Sequence, residues 1–459
     1  MFKKTKHSFF LVILFFSCIE CINAQIKISA IVVEGNQKTK ESIVLRELPY
    51  QVGDFVAKDS LSYLNMIAQQ QLINTSLFTD VLVNAFGIDS LTYKIIIQLK
   101  ERRYFFPIPA FKLVDRNFSQ WWNEEHRSLD RVNYGINIRG NNFTGNNDKL
   151  TLGLIAGYTQ QAILRYQFPY LDKKLRFGAG LGIQYFTQKE LNTSTVSDKQ
   201  VFYRTDGIIQ KGYRSNISFS YRPNLYERHS IQIGVGKNEI SDSAFLIQPA
   251  YLPNLSKSFN YIDFTISFSK IKFDYNAYPT NGAATQFLAF HRFSNKSDLS
   301  SFQFRKILAR PLSDNNFIFL ESNTTIKFLP NHNYLDGKLM GYGNMQLHGL
   351  DYYVIDGNVG TLFRAEWHQS LGSLTVKNIV AKKFLPEVKY RFWLKAFTNL
   401  GYVYADKPIN HTKLSNTLLR TVGVGLDIIS IYDFVLKIDY SLNQLGDKGL
   451  YLHAGLNFY

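Results

Sequence analysis

The sequence predicts a membrane β-barrel of about sixteen antiparallel strands preceded by one small α+β domain. Three observations carry this. Aromatic residues make up 15% of the 459-residue chain, with 37 Phe and 28 Tyr against 4 Met. Yet mean hydropathy is only −0.14, and no segment after the N-terminus reaches the roughly 18 uninterrupted apolar residues of a membrane helix. Finally, apolar residues recur at helical spacing only before residue 102, and from about residue 105 they alternate with polar or small ones. A barrel reconciles these features, because alternate residues face lipid and a polar lumen.

At the N-terminus, Lys3, Lys4 and Lys6 precede an apolar run from Phe9 to Ile19 that is too short to span a bilayer. Residues 1–24 therefore read as a secretory signal peptide ending at Ile22-Asn23-Ala24. An alternative has Cys18 lipidated after Ser17, although Phe15 and Phe16 fit that poorly. Cleavage after Ala24 would remove both cysteines, Cys18 and Cys21, so the mature chain would hold no disulfide or thiolate metal site. It would also remove three Lys and one Glu, lowering the formal charge from +16 to 16 − (3 − 1) = +14. In an exported protein such a charge suits phosphate-bearing lipid headgroups better than nucleic acid, or is simply a solvated basic surface.

The small domain spans residues 25–102. Ile28, Ile31 and Val33 give a strand that ends at Glu34-Gly35-Asn36, and Thr39 is placed to cap a helix carrying Ile43, Val44, Leu45 and Leu48. A second helix over 61–72 sets Leu61, Leu64, Ala68 and Leu72 on one face. Strands over 81–85 and 93–99 complete a β-α-α-β-β order with both helices on one face of the sheet. The run Val33-Glu34-Gly35-Asn36 with Thr39, then Gly53, then Leu77-Phe78-Thr79-Asp80-Val81, then Gln98-Leu99-Lys100-Glu101 resembles a POTRA domain, the periplasmic module of the BamA and TamA outer-membrane assembly superfamily. Gly35, Asn36, Thr39 and Phe78 are the motif residues. Many relatives carry several such units, whereas one is visible here.

The barrel spans residues 103–459. Residues 174–184 show its pattern: Leu175, Phe177, Ala179, Leu181 and Ile183 alternate with Arg176, Gly178, Gly180, Gly182 and Gln184. Such segments begin near residues 105, 132, 149, 162, 174, 213, 229, 260, 283, 300, 316, 361, 389, 417, 432 and 449. Sixteen is an even number, which places both ends of the sheet on one side of the membrane. Connections after even-numbered strands are mostly short, as periplasmic turns should be, and those at 187–212 and 329–360 are long. Residues 371–388 make a periplasmic connection longer than this scheme expects.

Alternation alone shows only a barrel, but further motifs are similar to those of the same superfamily. They are Asn141-Asn142-Phe143-Thr144-Gly145 after the second strand, residues 274–282 (DYNAYPTNG), Phe397-Thr398-Asn399-Leu400-Gly401, residues 420–427 (RTVGVGLD) and the terminal Ala454-Gly455-Leu456-Asn457-Phe458. In the superfamily, the loop between strands eleven and twelve folds into the lumen, and its tip Arg bonds to acids on strands twelve and thirteen. Leu347-His348-Gly349-Leu350 occupies that tip here, so His replaces Arg. Glu366 takes the inward face of strand twelve, since Phe363, Ala365 and Trp367 take the lipid side, and Asn399 stands where an Asp is usual. If the resemblance extends to this loop, His348 and Gly349 anchor on Glu366 and Asn399; the alternative is that His348 is simply a loop residue and the anchor has been lost.

It also implies a seam between the first and last strands, marked by Pro107, Pro109, Gly455 and Phe458. Prolines two apart both lack an N–H, and period two turns both gaps toward one neighbour. That neighbour is either the last strand, which weakens the seam, or the second.

No Gly-x-Ser-x-Gly elbow, His-Glu-x-x-His pair or phosphate-cradling glycine loop is present, and no two of the nine His stand at ligand spacing. No enzyme activity, cofactor or metal is therefore expected. The resemblance implies an outer-membrane factor with its POTRA domain in the periplasm, which receives unfolded barrel clients and inserts them through the seam. Its partners would be those clients, outer-membrane lipids and possible accessory lipoproteins, not nucleic acid. The alternatives are a polypeptide secretion pore of the two-partner type and a scaffold barrel without insertase activity.

Overall fold

The computed structural model describes residues 25–113, 118–123, 126–294, 297–329, 334–343, 345–377, 387–406 and 412–455. The signal peptide expected over 1–24, and Phe458 of the expected seam, lie outside the described residues.

The small domain holds β1 (Gln25–Glu34), α1 (Glu41–Arg46), β2 (Phe55–Ala57), α2 (Leu61–Asn74), β3 (Phe78–Gly87) and β4 (Thr92–Glu101). Its sheet order is β2-β1-β4-β3, with β1 and β4 parallel. The extra element is β2, whose three residues are too few for a period-two signal and which pairs with the start of β1. Ile26, Ile28, Ile43, Val44, Leu72, Leu77, Phe78, Val81, Ile95 and Ile97 form a fully buried core between helices and sheet. Thr39 does not cap α1. Lys40 holds the cap position without a side-chain bond, and the Thr39 hydroxyl is buried against the barrel.

The barrel begins with β5 (Phe105–Leu113), followed by a short helix α3 (Phe118–Asn123), β6 (Val132–Asn141), β7 (Lys149–Gly157), β8 (Thr159–Phe168) and β9 (Phe177–Gln188). It continues through β10 (Gln210–Tyr221), β11 (Glu227–Ile240), β12 (Ser258–Phe273), β13 (Gly282–Phe293), β14 (Leu299–Ser313) and β15 (Asn316–Phe328). It ends with β16 (Val359–Lys377), β17 (Glu387–Tyr404), β18 (Leu418–Ile429), β19 (Val435–Asn443) and β20 (Lys448–Gly455). These sixteen strands pair in chain order, all antiparallel, from β5 at one end of the sheet to β20 at the other. Each starts within three residues of its expected position. The alternation sorts as expected: Leu181, Ile183, Ile231, Ile233, Val422 and Val424 lie on the exposed outer face, where burial against lipid replaces burial in a core.

The long connection at 371–388 is largely strand. β16 and β17 stay paired down to Lys377 and Glu387, with the extra residue Leu371 bulged between Ser370 and Gly372. Their neighbours stop earlier, β15 at the Gln369 level and β18 at the Arg391 level, so this hairpin stands beyond the rim.

Candidate functional site

The lumenal loop descends from a two-stranded base, Lys338–Met340 paired with Ile355–Asp356. Met345, Leu347 and Leu350 are buried and pack on Leu362, Val403 and Leu419 of the wall, so the loop fills part of the lumen. Gly349 has φ +94 and faces the wall so closely that a Cβ would lie 2.8 Å from Ser441 Oγ. No other residue type fits there without displacing β19.

The loop is indeed anchored, but not by the expected pairs. His348 Nδ1 lies 2.9 Å from Asp439 Oδ2 on β19, and its ring stacks at 4.7 Å on His453 of β20. Glu366 is inward and buried as expected, but its Oε2 is 3.0 Å from His368 Nε2 and its Oε1 is 3.7 Å from Arg364. Asn399 meets only the backbone of the tip, its Nδ2 donating to the His348 carbonyl at 3.4 Å and to Thr421 Oγ1 at 2.8 Å. The cause of the difference is Arg364, which the sequence reading did not single out. Its guanidinium leaves the wall, pairs with Glu321 at 3.0 Å and donates to the Gln346 carbonyl of the loop at 2.9 Å. The cation that fixes the loop thus belongs to the strand, and Glu366 is free to pair with His368.

Beyond His348 the inner wall carries a continuous polar chain. Tyr278, from the turn at 274–282, reaches His368 Nδ1 at 2.8 Å and donates to Asp427 at 3.0 Å. Lys395 then bridges Asp427 and Asp439 at 3.0 and 2.8 Å, fully buried. Buried charges persist only when paired in this way. Their common signal in the sequence is inward parity, the same parity that placed Glu366.

A second site lies at the mouth of the barrel where the small domain docks, on the turns after β6, β8, β10, β12 and β18. Asn142 Nδ2 donates to Thr39 Oγ1 at 2.9 Å, and Thr39 also shares a bond with Tyr104. The Lys40 N–H donates to the Gly145 carbonyl at 3.0 Å. Gly145, at φ +83, approaches so closely that a Cβ would lie 2.4 Å from the Lys38 carbonyl oxygen. Two motifs read separately in the sequence are therefore one contact. Asn36 supports it by donating to the Thr39 carbonyl at 3.1 Å, while Gly35 closes the turn after β1 and Phe78 belongs to the core.

Two buried ion pairs complete the docking. Arg222 binds Glu47 through both nitrogens, one at 2.7 Å, and donates to Tyr170 at 2.7 Å. Arg102 holds Asp433 at 2.8 and 3.1 Å, and Ser76 and Tyr275 donate to the same carboxylate. Burial alone would raise the Glu47 carboxyl, but the charge and hydrogen bonds of Arg222 outweigh it and hold it below its usual value. Asp433 is likewise held low, with Arg102 overcoming burial.

The third feature is the junction of the sheet's ends. Among the described residues no ladder joins β5 to β20. Helix α3 lies against β20, and Phe106 of β5 meets Tyr432 edge-on at 5.2 Å near the end that faces the small domain. The Asn141 N–H donates to the Tyr104 carbonyl, in register with Phe105 opposite Gly140. Bonding alternates along an antiparallel ladder, so Phe106 and Ile108 exchange bonds with β6 and positions 105, 107 and 109 do not. The donor-less nitrogens of Pro107 and Pro109 therefore face away from β6, toward the junction. Gly455 ends β20 opposite Val435.

Residues 26–102 match the POTRA family, described as a surface antigen variable number repeat. Over 94% of its length the chain superposes on BamA from Haemophilus ducreyi lacking POTRA domains 1–3, at TM-score 0.52 and 14% identity, covering 84% of that chain. This is a POTRA domain joined to a barrel of BamA-like fold. CdiB from Escherichia coli is similar over the same 94%, at TM-score 0.53 and 12% identity, covering 75% of that chain. No curated protein matches the sequence.

Proposed function

We propose that the protein is an outer-membrane assembly factor, with its POTRA domain in the periplasm, that receives unfolded barrel clients and inserts them into the lipid through the β5–β20 junction. It needs no reaction of its own, and accessory lipoproteins would join it on the periplasmic side. The observation that carries this reading is the pair of prolines aimed at a junction without a described ladder. An unpaired strand edge templates an incoming strand, and ordinary barrels abolish such edges by closure. The loop packed on the inner wall takes up part of the lumen, which favours a lateral route over an axial one.

A disulfide between cysteines placed in β5 and β20 tests it. The oxidised protein should lose client insertion and regain it on reduction. Unimpaired insertion with the junction locked would reject lateral opening. Depletion should lower many outer-membrane barrels together, whereas loss of one secreted substrate would favour the pore and no loss the scaffold.

A further inference from the structure

We propose that His348, Asp439 and His453 form a binding site for a first-row divalent ion of the zinc class, which would staple the lumenal loop to β19 and β20. One nitrogen or oxygen from each of the three lies within 4.8 Å of the others. Imidazole nitrogens with a carboxylate oxygen are the donor set that such ions prefer over Mg²⁺ or Ca²⁺. Zinc ligands sit about 2.0–2.2 Å from the ion and hence roughly 3–3.5 Å from one another. His348 Nδ1 and Asp439 Oδ2, 2.9 Å apart, already meet that spacing closely, and His453 needs a side-chain rotation to join them.

The stronger argument is what these atoms lack. His348 Nδ1, Asp439 Oδ2 and His453 Nε2 are buried, yet none makes a hydrogen bond of acceptable geometry. At 2.9 Å, an Nδ1–H would not point at the carboxylate. Buried polar atoms are rarely left so, and three orphans converging on one point call for a shared partner. An ion held by His348, Asp439 and His453 would supply that partner to all three.

The surroundings prepare the site. Lys395 occupies the other oxygen of Asp439 at 2.8 Å and leaves Oδ2 turned to His348. Asp351 Oδ1 is 3.5 Å from His453 Nε2 and so orients that ring from outside the set of three, and Gln346 and the Gly349 N–H fix the carboxylate at 2.8 and 2.9 Å. His348 comes from a loop far upstream of the β19–β20 hairpin that carries Asp439 and His453, which is why no ligand spacing is visible in the sequence.

The whole chain, purified in detergent, stripped with a chelator, loaded with Zn²⁺ and desalted, should retain one ion per molecule by elemental analysis. Co²⁺ in its place should give the visible bands of a low-coordinate nitrogen and oxygen site. His348→Gln, Asp439→Asn and His453→Gln should each abolish retention, and Asp351→Asn should weaken it by about 10- to 100-fold. Folding of each variant is checked by the heat-dependent gel mobility of the barrel. No stoichiometric Zn²⁺ on the folded native chain, or equal retention by a folded triple variant, would overturn the proposal.

Discussion

The POTRA domain and the two ends of the sheet are both joined to the barrel at its margins, yet by opposite means. At the mouth, Arg222–Glu47 and Arg102–Asp433 are buried, bidentate and further hydrogen-bonded by Tyr170, Ser76 and Tyr275. At the junction, β5 presents two nitrogens that cannot donate, and the described contacts there are an aromatic edge and a short helix. The first arrangement has one well-defined geometry and a large cost for removing either partner. Among the described residues no ladder spans the second.

Acid should break this contrast most completely, because it reaches both ion pairs at once. Glu47 and Asp433 have folded pKa values below their ordinary ones, Arg222 and Arg102 overcoming burial. Their contribution to docking is present above the ordinary carboxylate values and is lost as pH falls through the depressed ones. Protease access to the linker at Arg102–Tyr104 should therefore stay low from neutrality down to about pH 4 and rise below it. Glu47→Gln with Asp433→Asn should give high access at every pH, and a flat native profile would contradict the assignment.

Arg222→Ala is the next largest perturbation. It strands Glu47 in a buried site, and removing one partner of such a pair costs about 3–5 kcal/mol. Cross-linking between cysteines at Asn74 and Asn276, now in contact through their amide and backbone, should fall steeply while barrel mobility on gels is unchanged. The double change Glu47→Gln with Arg222→Gln should recover part of the loss, since it leaves no lone charge.

These two regions were unequally legible in the sequence. Period two located all sixteen barrel strands, and the same parity put Glu366 on the inner wall, because a strand offers only two faces. Which inward charge pairs with which depends on register across several strands, so Asp439, His453 and Arg364 went unrecognised. Thr39, Asn142 and Gly145 were each noticed, but their meeting depends on how the domain sits on the barrel, which local pattern does not encode. The direction of the proline nitrogens needed only one fact beyond the sequence, the pairing of Tyr104 with Asn141.

At the junction the expected effects are smaller and of opposite sign. Pro107→Ala with Pro109→Ala restores two N–H groups on the side facing β20. If each finds an acceptor there, the junction gains about 0.5–1.5 kcal/mol per bond. Amide exchange in β20 should slow, and client insertion should slow with it. Unchanged exchange would mean that β20 offers these positions no acceptor.

Thr39→Val is the mildest change and separates the two regions most cleanly. It preserves shape in the domain core, so α1 and β4 should be unaffected. It deletes the oxygen that accepts from Asn142, a residue with no exposed surface, whose amide would then lack that partner. A net loss of about 1 kcal/mol in docking is expected, with the Arg222 and Arg102 pairs still in place. That loss should appear as faster amide exchange at Lys40 and around Asn142, with β5 and β20 unchanged. Equal acceleration at the junction would show that mouth and seam open together rather than separately.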